Sequence, residues 1–487
     1  MTYLMAIDLG TTGCRSMVFD DTLHLLGADY VEYGLLTPKP NWYEQDATLW
    51  WEIACQTMLA AIAKAGIDGK RITALSISSQ GISIVPVDRQ FQPLRSALSW
   101  MDTRAEEEEQ RLIRELGQEE TFLRTGKRIA ATYTLPKLLW MQTHQPDIFR
   151  AAEWFLMPLD FLTAKLTGRA VTDPSMASGT LLYDMRAGCW HKPTLTRYGI
   201  AEQKLPEILP SGNVAGNVLL EVAERLGLSG DCIVCVGAQD QRCASLGAGL
   251  APGVVTVSLG TAAAVCKLSD GFKPEEGMHV GWSPYVFSGE WVSESVAGAA
   301  GASLRWLRDS IYQEKTYDTI NREAQCAREK GSHALFLPYL CGPGFPRFDP
   351  ASTGCFYNIT MATERGDLAL AVMRGVVYQI REILESMASG NGTKRLVLFG
   401  GGAKSALWQQ IFADGLGLPV SIPENAETAG VGAAILAGLG AGVFLREQLP
   451  QISIAQVCQP SGFSEAEEEQ YRRFRALEQK LESGNGA

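Results

Sequence analysis

Two short turns carry the residues best suited to gripping a polyphosphate. Asp8-Leu9-Gly10-Thr11-Thr12-Gly13 follows the apolar run Leu4 to Ile7, and Leu259-Gly260-Thr261 follows the run Val254 to Ser258. Backbone N–H groups in a tight turn between strands form an anion-binding concavity, and glycine lets the backbone approach closely. Thr11, Thr12 and Thr261 add hydroxyl donors. A single Gly-Thr turn is most simply a hairpin. The pair favours phosphate, because Ile7-Asp8-Leu9-Gly10-Thr11-Thr12 matches Val257-Ser258-Leu259-Gly260-Thr261-Ala262 position for position. Asp8 stands where the second copy has Ser258, so one carboxylate is offered. One carboxylate suits a Mg²⁺ held mostly by waters and phosphate oxygens. Arg15 either reaches a phosphate or stands as a solvated strand arginine.

Three further groups could complete a reaction centre. Asp240, in Gly237-Ala238-Gln239-Asp240-Gln241, ends the apolar run Ile233 to Val236. A carboxylate there either takes the proton of an attacking hydroxyl or caps a helix, and spacing alone does not separate the two. Leu396 to Phe399 runs into Gly400-Gly401-Gly402-Ala403-Lys404-Ser405, a strand–glycine–helix junction able to receive the flat face of a purine. It matches neither a Walker A loop nor the dinucleotide GxGxxG pattern. Gly301, in Ala299-Ala300-Gly301-Ala302, either borders a ligand closely or packs a helix. Trp100-Met101-Asp102-Thr103-Arg104 sets an aromatic face, a carboxylate and a guanidinium at alternate positions, which suits a polyol. Its plainer reading is the start of a helix, with Asp102 as cap and Trp100 in the core.

The elements needed to position these groups recur twice. Leu4–Ile7, Arg15–Phe19 and Leu23–Tyr33 read as a strand meander; a helix capped by Asp46 and the strand Ile72–Ser78 follow. In the second half Val254–Ser258, Ala262–Leu268 and Tyr285–Val292 read as strands and Ala299–Arg308 as a helix. A repeated plan predicts two related domains, 1–247 and 248–487, with a hinge in Gly247-Ala248-Gly249-Leu250-Ala251-Pro252-Gly253. Glu106 to Asn217 reads as insertions into the first domain, Glu465 to Glu482 as a charged terminal helix, and Ser483–Ala487 as a frayed end.

Bulk properties exclude several classes. The chain has 487 residues and a formal charge of −11, which disfavours a nucleic-acid partner. No apolar run is long enough to span a bilayer, and Met1–Ile7 lacks a basic leader segment, so a cytoplasmic protein is expected. The 11 cysteines have no regular spacing; even Cys232-Ile233-Val234-Cys235 reads as core packing.

Together these motifs resemble the FGGY family of carbohydrate kinases, which includes glycerol, gluconate, fuculose and xylulose kinases. The likeness runs from Asp8 to about Phe444, through Lys137-Leu138-Leu139-Trp140-Met141 and Thr428-Ala429-Gly430-Val431-Gly432. It implies an α/β fold of two actin-like, ribonuclease-H-like domains, with ATP and a small sugar or polyol in the cleft between them. It also implies that Asp240 is the catalytic base and that Asp8 positions Mg²⁺. ATP would be met by Gly10, Thr11, Thr12, Gly13, Arg15, Gly260, Thr261, Gly301, Gly401, Gly402, Ala403 and Ser405. Sugar would be met by Gln80, Gly81, Ile82, Trp100, Asp102, Arg104, Asp240 and Gln241. Around Trp100 and Asp240 the chain is nearer to the xylulose kinases. Gly81-Ile82, however, replaces their Met-His pair and the Arg-Glu pair of glycerol kinases. Family members form dimers or tetramers, so a homodimer is one expected assembly. The competing reading is an actin-like or chaperone-like ATPase that phosphorylates no sugar.

Overall fold

The apolar run Tyr3–Leu9 forms strand β1, and Gly13–Asp20 (β2) and Leu25–Glu32 (β3) fold back on it as an antiparallel meander. The computed structural model describes residues 2–313, 316–342, 344, 352–387, 392–462 and 465–484. Asp46 caps helix α1 (Ala47–Ala65) by accepting from the Thr48 N–H, and Gly66 ends it in the left-handed conformation. Trp50, Ala54, Met58 and Ala61 form its buried stripe. Strands β4 (Ile72–Ser79), β5 (Val214–Asn217) and β6 (Ile233–Gln239) complete a six-stranded sheet in the order β5-β6-β4-β1-β2-β3.

Because β4 and β6 are parallel neighbours, a crossover must join them. The helix Pro158–Thr167 supplies it, packing on both strands. This corrects the reading of all of Glu106–Asn217 as insertion: that helix and β5 belong to the core layer. Periodicity shows that a helix exists but not which sheet it covers.

After helix α2 (Asp240–Gly247), the second half builds β7 (Val254–Leu259), β8 (Ala263–Ser269), β9 (Gly281–Pro284) and β10 (Trp291–Ala297). Helices α3 (Gly301–Leu307) and α4 (Arg365–Ser386), strand β11 (Arg395–Phe399) and helix α5 (Ala406–Leu416) follow. The chain closes with β12 (Val420–Pro423), α6 (Thr428–Gly440), β13 (Ile454–Cys458) and α7 (Glu465–Gly484). The sheet order is β9-β10-β8-β7-β11-β12-β13. Without β9 it repeats β3-β2-β1-β4-β6-β5 strand for strand, in the same parallel and antiparallel senses. The third strand of this half is displaced from its expected place. Tyr285–Glu290 is the hairpin turn between β9 and β10, closed by the Tyr285 N–H donating to Glu290 O (2.9 Å), with Gly289 at φ +82°.

The halves trade helices. Ala244 of α2 and Ala248 just after it pack on Val397 and Phe399 of the second sheet, whereas Ala437 of α6 packs on Leu4, Ala74 and Cys235 of the first. The two helices cross at glycines. A Cβ on Gly247 would lie 1.9 Å from Thr428 O, and one on Gly432 would lie 1.9 Å from Cys243 O. Cys232 and Cys235 are buried and free, as expected of core thiols. The terminal helix docks Tyr471, Phe474 and Leu477 against Tyr339 and Tyr378; residues 485–487 of the expected frayed end lie outside the described residues.

Candidate active site

The two Gly-Thr turns face one cavity of about 500 Å³ between the halves. They are not identical. Leu9 pairs with Cys14 and the Gly10 N–H donates to Gly13 O (2.9 Å), whereas Leu259 pairs with Ala263 and the Gly260 N–H donates to Ala262 O (3.0 Å). The second turn is therefore one residue shorter, and Thr261 alone answers Thr11 and Thr12. The start of α3 braces it: the Gly301 and Ala302 N–H groups donate to Gly260 O and Thr261 O, both at 3.0 Å. A Cβ on Gly301 would lie 2.3 Å from Gly260 O, so the start of α3 packs closely on the turn. Gly13 is buried, under Tyr30.

Arg15 lies across the ladder from Asp8 and forms an ion pair with Glu427, just before α6. Its guanidinium stands 5.0 Å from the Tyr30 ring centroid. In the glycine junction after β11, Gly400 holds φ +92°, and a Cβ on Gly401 would meet open space. Gly402 packs on Leu259, and Ala403 is buried. Ser405 caps α5, accepting from the Trp408 N–H, and donates to Asn321 Oδ1 at 3.0 Å. The Ala403 side chain is thus core and that of Ser405 a helix cap.

Of the two readings left open for Asp240, the helix cap falls to its neighbour Gln239. Asp240 is the first residue of α2, and its Oδ1 accepts from the Gln241 N–H (2.7 Å) and Gln239 Nε2 (2.6 Å). It also lines the cavity. Burial, then the negative charge of Asp8, pushes its carboxyl up to about 7, with Glu294 adding; the Gln241 N–H and Arg242 act the other way. Asp8 ends β1 with its Oδ1 accepting from Ser78 Oγ (2.8 Å), and burial raises its carboxyl too. No cluster of three or more His, Cys, Asp or Glu suited to a metal occurs among the described residues. A lone carboxylate such as Asp8 fits a cation that takes its other oxygens from phosphate and water.

Of the residues expected at the sugar, Gln80, Gly81, Ile82, Trp100 and Gln241 line the cavity. Ile82 holds φ +53°, rare for a β-branched residue and typical of strain kept at a ligand site. Trp100 Nε1 donates to Thr11 Oγ1 (2.9 Å), and Gln80 Nε2 reaches Gln45 Oε1 (3.0 Å), whose amide donates to Thr11 O (2.7 Å). The wall around Trp100 and Gln80 and the Gly10-Thr11-Thr12 turn are thus one hydrogen-bonded unit. Asp102 and Arg104 are not part of it, which corrects the expectation for both. They pair with each other at 2.8 Å, with both side chains wholly buried. Asp102 accepts from the Tyr43 N–H, and the Arg104 guanidinium meets Glu44 and lies 3.9 Å from the Trp42 centroid and 4.9 Å from that of Trp140. Nor is Trp100 in the core, as the plainer reading had it; it is 40% exposed. Lys127, Tyr133, Ser175, Ser178, Ser283 and Glu294 also line the cavity without having been picked out from the sequence. They come from insertion segments and from β9 and β10, and no local motif marks them.

Two repeated lobes meet at a cavity lined by paired Gly-Thr turns and by Asp240, the arrangement expected of a phosphotransferase of the sugar-kinase class. Models of the N-terminal and C-terminal domains of the FGGY family of carbohydrate kinases match residues 3–247 and 255–441. The chain belongs to that family. It is 30% identical to the xylulose kinase of Escherichia coli (strain K12), covering 98% of this chain and 99% of that one. It is 32% identical to the glycerol kinase of Acidovorax sp. (strain JS42), covering 91% of each. The crystal structure of a xyloylose kinase from Brucella ovis superposes with a TM-score of 0.91, at 28% identity and 99% coverage of both chains. The protein is therefore an ATP-dependent kinase with an alcohol group as acceptor, its fold two actin-like domains around a cleft. No helix among the described residues is long and apolar enough to cross a membrane.

Proposed function

We propose that Asp240 takes the proton of an acceptor hydroxyl as the hydroxyl oxygen bonds to the γ-phosphorus of ATP. The bond from that phosphorus to the β,γ-bridging oxygen breaks, and ADP leaves. The observation that supports this most is a carboxylate at a helix N-terminus, in the cavity between two Gly-Thr turns, with its carboxyl raised to about 7. A base with a pKa near the working pH combines ionisation with proton affinity. Thr11, Thr12, Thr261 and the turn amides hold the phosphates, with Gly401 and Gly402 beside the adenosine. Asp8 would hold a Mg²⁺, which would supply charge neutralisation to the phosphates. Arg15 exchanges Glu427 for phosphate as the lobes close. The acceptor is a small sugar or polyol, with xylulose and related ketoses favoured by the named relatives, and the cytoplasm is the compartment.

The test is ADP release against pentuloses, hexuloses, polyols and aldonates; release no faster than with ATP alone, across the panel, would sink the reading. The same assay against pH checks the base. Protonated Asp240 cannot accept a proton, so kcat/KM should rise with pH through about 7 and level off above it. A profile flat from pH 5.5 to 8.5 (roughly the span over which such a base titrates) would exclude Asp240 from that role.

A further inference from the structure

One wall of the cleft carries a charge that phosphoryl transfer does not use. Lys127 follows the helix Gln118–Thr125, and Gly126 before it holds φ +67° so close to Trp282 that a Cβ would lie 2.5 Å from the Trp282 Cβ. The Trp282 N–H donates to Gly126 O (3.0 Å). This clamp ties the insertion lobe to β9, and Lys127 and Ser283 line the same cavity. Among the described residues, the Lys127 ammonium makes no hydrogen bond and no ion pair. Glu294, the carboxylate whose field it feels most, is already held by the fully buried Arg242 at 2.8 Å. The other groups on this side are neutral: Tyr133, Ser178 and Ser283, the two serine hydroxyls 3.4 Å apart. Burial pulls the Lys127 ammonium below the ordinary lysine range. A desolvated cation with no partner of its own is costly until an anion reaches it.

We infer that the acceptor is an anionic sugar, of the aldonic- or uronic-acid kind, whose carboxylate meets Lys127 while one of its hydroxyls faces Asp240. This rests on the kinase reading above and replaces the neutral ketose that the named relatives favour with an anionic acceptor. A neutral ketose leaves the half-buried Lys127 partly desolvated and unpaired; a carboxylate gains a charge-assisted hydrogen bond there.

The experiment measures ADP release with D-gluconate and D-ribonate beside D-xylulose and ribitol, for the wild type, Lys127→Met and Lys127→Arg. Wild-type kcat/KM should favour the aldonates. Lys127→Met should lower it for aldonates by about 10–100-fold, mainly through KM, the range for losing a hydrogen bond to a charged group. Its KM for ATP and its turnover of any neutral acceptor should change little, and Lys127→Arg should recover part of the loss. Turnover of neutral acceptors alone would overturn the inference and leave the kinase reading intact. Equal loss for every acceptor in Lys127→Met, or a raised KM for ATP, would also overturn it, showing a structural or phosphate-facing lysine. No release with any acceptor would remove the kinase reading and this inference with it.

Discussion

Asp240→Asn should bind ATP normally, lose about 10²–10⁴-fold in kcat, and melt at a higher temperature than the wild type at pH 8. All three follow from one environment. The carboxylate is buried, feels the charge of Asp8 and is raised to about 7, so folding disfavours its ionised form. For an acid whose folded pKa lies above its unfolded one, the cost is absent below the unfolded value, accumulates through about pH 4 to 7 and is full above that. Asparagine removes the charge and the cost together, and with them the only proton acceptor proposed at the hydroxyl. Nucleotide titration, turnover and thermal melts at pH 5 and pH 8 separate the effects. The stability gain should be present at pH 8 and much smaller at pH 5. Near-normal turnover in the variant would refute the assignment outright, whatever its melting point.

Arg104→Met should cost about 3–5 kcal/mol of stability, as breaking one side of a buried ion pair does, while KM for the acceptor stays unchanged. Its guanidinium is wholly buried between the Trp42 and Trp140 rings and pairs with Asp102 and Glu44. Methionine fills much of the volume but leaves Asp102 buried without its cation. The segment that presents Trp100 to Thr11 is held by this pair, so the damage should appear in chemical denaturation before it appears in binding. A normal denaturation midpoint with a raised acceptor KM would put Arg104 at the sugar after all.

The contrast between these two residues shows what the sequence could carry. Gly10-Thr11-Thr12, Gly260-Thr261 and Asp240 are legible because a hairpin turn and a strand-to-helix junction are local: a few neighbouring residues dictate where the backbone groups point. The repeated strand order is legible for the same reason, from short-range periodicity. Trp100, Asp102 and Arg104 look like one constellation on paper. Their directions are decided by Trp42, Glu44 and Trp140, remote in the chain, which pull the charged pair inward and leave only the indole at the cavity. Tyr285–Val292 has strand-like apolar content, yet with φ +82° at Gly289 its first part, Tyr285–Glu290, is a hairpin loop. Lys127, Ser283 and Glu294 had no local signal, since they meet only when the insertion lobe closes on the second sheet.

The helices traded between the halves bear on how such a chain can be divided. A cut after Gly247 would separate α2 from Val397 and Phe399 and deprive Leu4, Ala74 and Cys235 of their cover from α6. Each fragment would then present bare apolar surface and be prone to precipitate when made alone. Produced together, the two pieces supply each other's missing layer and can assemble by complementation. The duplicated halves are thus no longer independent modules. Neither can be lost, swapped for a relative's or evolved in isolation unless the glycine crossing at Gly247 and Gly432 still fits.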